Sequence, residues 1–239
     1  VNRVWTLNFF LIRDLFRSLL GVVPVAIAVA FGLLAFEYGM DQAQFFTVAG
    51  LGTGLICLVT ALLLANRANR ATSYLLLARL RRRTELLAAS VFGGLLITMV
   101  LAMALTLANL LAGRLALELQ SLPWLLITWL PLWILCACLA LPLSALVGRR
   151  GSHLVGQLLV VALLVVHDKS APPAIRSLRW LVRVADSILW PLGTLLSRAS
   201  GGTHDRTFFL TLALTLIYAA LLFLLADQLL ADKDLVWTE

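Results

Sequence analysis

Two His-Asp pairs and one cluster of arginines are the groups in this chain whose types and spacing could do chemistry. His167-Asp168 and His204-Asp205 set an imidazole beside a carboxylate, an arrangement able to bind metal, to bind haem with Trp180 and Trp190 nearby, or to transfer protons. His-Asp neighbours are common in polar turns, so both read first as ordinary loop residues, and His167 and His204 are weak metal candidates. The cysteines add nothing to them. Cys57, Cys136 and Cys138 have no CxxC spacing, and the last two, being two apart, point to nearly opposite sides of a helix. They read as packing residues. The third feature is residues 66–85, NRANRATSYLLLARLRRRTE, where Arg67, Arg70, Arg79, Arg81, Arg82 and Arg83 face one acid, Glu85.

The motifs that would power or catalyse a reaction are missing. The sequence has no GxxxxGK[ST] run, no Rossmann glycine fingerprint, no HExxH and no GxSxG. No ionisable residue lies deep in an apolar run, which argues against a proton- or ion-coupled carrier. No catalytic or cofactor-binding residue is therefore assigned.

The elements that must position these groups are membrane helices. Of the 239 residues 62% are hydrophobic and only 13% charged, and the mean hydropathy is +0.98. Soluble domains carry about 25% charge, so an all-α polytopic membrane protein is expected. The net charge of +7 is no sign of nucleic acid, because the arginines sit beside apolar runs instead of forming a water-facing stripe.

Residues 1–18 are expected to form an interfacial helix, with Trp5, Phe9, Ile12 and Phe16 on its apolar face and Arg3, Arg13 and Arg17 elsewhere. Six spans follow at 19–36, 45–65, 86–112, 122–147, 151–167 and 208–226. No small-residue cleavage pattern follows the first apolar run, so the first span itself is expected to target the chain. The basic stretch 66–85 between spans two and three belongs on the cytoplasmic side, which puts both termini there too. Twelve of the nineteen basic residues then lie inside. The seven outside include Arg176, Arg179 and Arg183, which share a helical face with Ser187. They make 174–198 an outer amphipathic or re-entrant segment, and their charge counts against the simple topology.

Within the spans, Gly50 and Gly54 have the spacing that lets helices approach closely, and Pro131 and Pro142 are expected to bend the fourth span. Thr98, Thr106 and Asn109 fall near one face of the third span with Ala102. Such a stripe serves helix-to-helix hydrogen bonding or lines a pathway.

The order of these features, and YLLLARLRRRTELLAAS in particular, resembles the type-2 ABC exporter permeases. Leu75 to Leu77, Arg83 and Glu85-Leu86-Leu87 match the family's loop between spans two and three. The family's proline is replaced by Leu80-Arg81-Arg82, and its acidic-Gly-Thr run by Asn69-Arg70-Ala71-Thr72. The resemblance implies a membrane-spanning permease subunit without an enzymatic centre of its own, in a bacterial inner membrane, exporting a hydrophobic or amphipathic compound. It also implies a cytoplasmic coupling helix. A separate ABC ATPase, carrying the ATP and Mg, would dock on Arg67, Arg70, Leu76, Leu77, Arg79, Leu80, Arg81, Arg82, Arg83 and Glu85. A second permease subunit, the same chain or another, would complete the path, and the proline-bent fourth span would pass on the motion. Membrane lipid is a further partner, since the same arginines suit anionic head groups. Two rivals remain: a membrane enzyme acting on lipid at the outer face through the histidine pairs, and a non-transporting assembly subunit.

Overall fold

The computed structural model describes residues 2–38, 41–68, 84–113, 115, 122–147, 194–195 and 205–231. Within them the chain is helical and has no strand: α1 (Asn2–Phe16), α2 (Val22–Tyr38), α3 (Gln42–Ala68), α4 (Thr84–Leu111), α5 (Leu122–Leu143) and α6 (Arg206–Ala231). Helices α3 to α6 are each long and apolar enough to cross a membrane, and α1 and α2 together make a pair bent by 97°. If α2 crosses the bilayer, α1 lies across its face, as an interfacial helix does. The expected fifth span, 151–167, and all of 174–198 except Thr194 and Leu195 lie outside the described residues.

The helix ends follow local rules. Asp41 starts α3 by accepting a hydrogen bond from the Gln44 N–H at 2.7 Å. Gly113, with φ of 64°, ends α4 in the left-handed conformation that a glycine adopts without strain. The expected fourth span is shortened at its end: α5 passes through Pro131 but stops at Leu143, just after Pro142, and turns through Ser144. Between α1 and α2 the chain turns through a 3-10 turn at Leu19–Gly21. A Cβ on Gly21 would stand 2.9 Å from both the Leu15 carbonyl oxygen and the Phe16 Cα, so the tight corner needs a glycine.

Helix α3 is the hub, packed on α2, α4 and α5, while α6 lies on α5 and α1 lies against α4 and α3. Lipid tails are as apolar as leucine, so close packing and hydrogen bonds must hold such helices together. Glycines let α3 and its neighbours approach. A Cβ on Gly94 would stand 3.1 Å from the Ala61 Cβ, and one on Gly54 would stand 3.1 Å from Leu132. On the other side of α3 it is Gly52 that meets α2, its added Cβ 2.7 Å from the Phe31 ring.

The α3–α5 contact is closed by aromatic side chains. Trp129 packs on Phe45, Phe46 and Trp133 with ring centroids 5.8 to 6.4 Å apart. Its indole N–H donates to the Phe46 carbonyl at 3.3 Å, and the Trp133 N–H donates to Thr53 Oγ1 at 3.0 Å. The Cys57 thiol donates to the Trp133 carbonyl at 3.2 Å, and all three cysteines are buried thiols. Helix α5 is thus fastened to α3 along its middle.

Helix α1 is apolar on two faces. Leu7, Leu11 and Leu15, four apart, are buried against the bundle, whereas Trp5, Phe9 and Phe16 are exposed by 57%, 66% and 52%. Of the expected apolar face, Trp5, Phe9, Ile12 and Phe16, only Ile12 packs against the core. The leucines are the packing face, and the aromatics are left to the lipid boundary, where amphipathic rings are favoured.

Candidate functional site

The basic run leaves α3 at its last residues and re-enters the described structure at Thr84. At this basic end of the bundle, two consecutive residues of α3 make long-range contacts. The Asn66 side-chain oxygen accepts from the Ala145 N–H at 2.7 Å, which fastens the turn after α5. Arg67, only 6% exposed, donates through Nη1 to the Asp14 carbonyl oxygen at 2.7 Å and also pairs with the Asp14 carboxylate. Their side chains leave the helix in directions about 100° apart, so one turn of α3 holds α5 on one side and α1 on the other.

Two further polar groups line this junction. Asn8 of α1 is buried over Gly93 of α4, where an added Cβ would stand 2.8 Å from Asn8 Oδ1 and 2.6 Å from Leu64 Cδ1. Glu85 sits in the first turn of α4, where the helix dipole favours a carboxylate. Asn8 Oδ1 and Glu85 Oε2 are shielded from solvent and have no hydrogen-bond partner among the described residues. Sequence reasoning missed Asp14, Asn66 and Asn8. A faint signal lay in Asp14, the single acid of α1, and in Asn66, an amide placed where an apolar helix gives way to charge.

Of the ten expected docking residues, Arg67 and Glu85 stand at the adjoining ends of α3 and α4. Arg67 is turned inward to α1. The other eight, Arg70, Leu76, Leu77, Arg79, Leu80, Arg81, Arg82 and Arg83, lie outside the described residues. So do His167 and His204; Asp205 is seen at the head of α6, its carbonyl accepting the Phe208 N–H at 2.9 Å. No group of three or more His, Cys, Asp or Glu side chains among the described residues could hold a metal ion.

The polar stripe of α4 divides. Thr98 is fully buried close to Cys57 of α3, and Thr106 returns its hydroxyl to the Ala102 carbonyl at 2.8 Å within its own helix. Asn109 alone of the three lines a cavity, a groove of about 420 Å³ between α2 and α4. Val25, Val29 and Leu33 form one wall, and Ala104, Ala108 and Asn109 belong to the other. No family model matches the chain, and no curated protein or solved structure matches it either.

Proposed function

We propose that the chain is the membrane-spanning permease subunit of an ABC transporter, driven by a separate ATPase that docks on residues 66–85. The observation that carries this reading is the junction at Asn66 and Arg67. The two residues stand at the root of the basic segment, and each holds a different helix. A partner that pulls on the segment therefore acts on α1 and on the end of α5 together. That is the mechanical requirement of a coupling element that must turn one displacement into a rearrangement of several helices. The sequence adds arginines and leucines, Arg79 to Arg83 and Leu75 to Leu77, which offer such a partner both charge and an apolar surface.

In this reading the compound moved is hydrophobic or amphipathic, and a second permease subunit supplies the opposite wall of the path. The chain itself performs no hydrolysis. ATP and Mg belong to the partner, and the histidine pairs have no role in the energetics.

The test is a pull-down of the tagged chain from its native membrane in mild detergent, followed by an ATPase assay. Charge reversal of Arg81, Arg82 and Arg83 is expected to release the ATPase while the chain stays folded. Arg67→Gln is expected to keep the ATPase bound and to uncouple its hydrolysis from transport. Absence of any nucleotide-binding partner, under conditions that preserve other membrane complexes, would overturn the reading. Loss of activity on replacing His167 and His204 alone would favour the lipid-enzyme alternative.

A further inference from the structure

The groove between α2 and α4 has an apolar length and a polar end. Val25, Val29 and Leu33 recur every four residues, so they line about 12 Å of helix axis. Gly32 and the alanines at 104 and 108, with little or no side chain, keep the trough open, and among the described residues only the Leu105 Cγ, at 4.0 Å, lies near the position of an added Cβ on Gly32. Along this length no lining residue among the described ones is polar until Asn109, two residues before the end of α4.

Asn109 is 4% exposed, and its Nδ2 is already committed to the Leu105 carbonyl at 2.9 Å. Its Oδ1 has no donor among the described residues. A buried acceptor without a donor is costly, and the fault is removed if a ligand brings one. Charge narrows the ligand. Glu37 lies one turn beyond Leu33 on the same face of α2 and is exposed, and Asp41 follows at the head of α3. Residues 37–41 include no basic residue, so the chain beyond Leu33 brings two acids and no base. Arg114 lies outside the described residues.

We propose that this groove binds a phospholipid whose head group carries a protonated primary amine, with an acyl chain along the trough and the ammonium donating to Asn109 Oδ1. The terminal torsion of an asparagine is broad, so a small rotation of the amide presents the oxygen to the trough. A choline head has no N–H to donate. A glycerol head has hydroxyls, but the lipid is anionic and is repelled by Glu37 and Asp41. A second copy of the chain is a poorer occupant, because the described lining is polar at one end only, as a lipid is. The site is independent of any ATPase.

Native mass spectrometry of the full chain, released from nanodiscs holding equal amounts of phosphatidylethanolamine, phosphatidylcholine and phosphatidylglycerol with matched acyl chains, tests this. The ethanolamine lipid is expected to be retained about tenfold over either rival, the ratio that one charge-assisted hydrogen bond supports. Asn109→Leu is expected to abolish that preference, whereas Asn109→Asp, which keeps an acceptor there, preserves it. Gly32→Leu, which fills the trough, is expected to remove the retained lipid while circular dichroism shows unchanged helix. Equal retention of the three lipids, or an undiminished preference in Asn109→Leu, would refute the site. So would a lipid-free wild type that is a dimer broken by Gly32→Leu, since a second copy would then be the occupant.

Discussion

The two sides of α3 are built differently. Toward α5 the contact is aromatic and directional: Trp129 and Trp133 fill it, both indole N–H groups have acceptors on α3, and Gly54 brings the backbones close. Toward α2 and α4 the close contacts rest on glycine and alanine, as where Ala61 meets Gly94. Gly52 seats Phe31, but outward from that contact α2 and α4 leave a groove of about 420 Å³ whose end holds an acceptor with no donor among the described residues. Interlocked aromatic rings with satisfied N–H groups have one good arrangement, whereas small apolar residues facing a trough tolerate several. Helices α3 and α5 are thus the more narrowly specified pair, and α1 with α2 joins it through the leucine face of α1, the Gly52–Phe31 contact and Arg67.

The sharpest way to break this contrast is Trp133→Ala. It removes a fully buried indole and the N–H that Thr53 Oγ1 accepts, and it should lower stability by about 4 kcal/mol. Thermal unfolding in detergent would measure it. Gly21→Ala comes next. It presses a methyl into the Leu15 carbonyl and should cost about 2 kcal/mol, with faster proteolysis confined to α1 if the corner is a hinge. Arg67→Gln removes hydrogen bonds to a half-exposed partner, and about 1.5 kcal/mol is expected. Spin labels on α1 and α3 should separate in that variant, while labels on α3 and α5 should not. Smallest of all is Ala104→Leu, on the exposed rim of the groove, expected within about 0.5 kcal/mol of zero. A cost for Ala104→Leu equal to that of Trp133→Ala would erase the distinction between the two sides.

Much of the bundle is legible in the sequence because hydropathy alone marks a membrane helix. The expected span 86–112 is α4 to within two residues at each end, and 45–65 and 208–226 are the central parts of α3 and α6. The helices outrun the apolar stretches because backbone hydrogen bonding continues wherever the terminal polar side chains find partners, as Asn66 and Arg67 do. What escapes the sequence is facing. Leu7-Leu11-Leu15 and Trp5-Phe9-Phe16 both recur at helical spacing on α1, and only packing against α4 decides between them. Gly50 and Gly54 carry the close-approach spacing, yet Gly52, Gly54, Gly93 and Gly94 have the tight contacts, because several neighbours press on α3 from different sides. Arg67 reads as one more cation of the basic run, and its partner is 53 residues away, a separation that no local pattern bridges.

That separation sets an order of assembly. Asp14 is synthesised 53 residues before Arg67, a delay of roughly three to ten seconds at usual elongation rates. Throughout it the packing leucines of α1 lack their partners on α3 and α4, neither of which is complete. The exposed Trp5, Phe9 and Phe16 give the helix a second apolar face, of the kind that rests on a membrane surface, for that interval. The second apolar face of α1 is thus a berth for an unfinished protein as well as a boundary for the finished one.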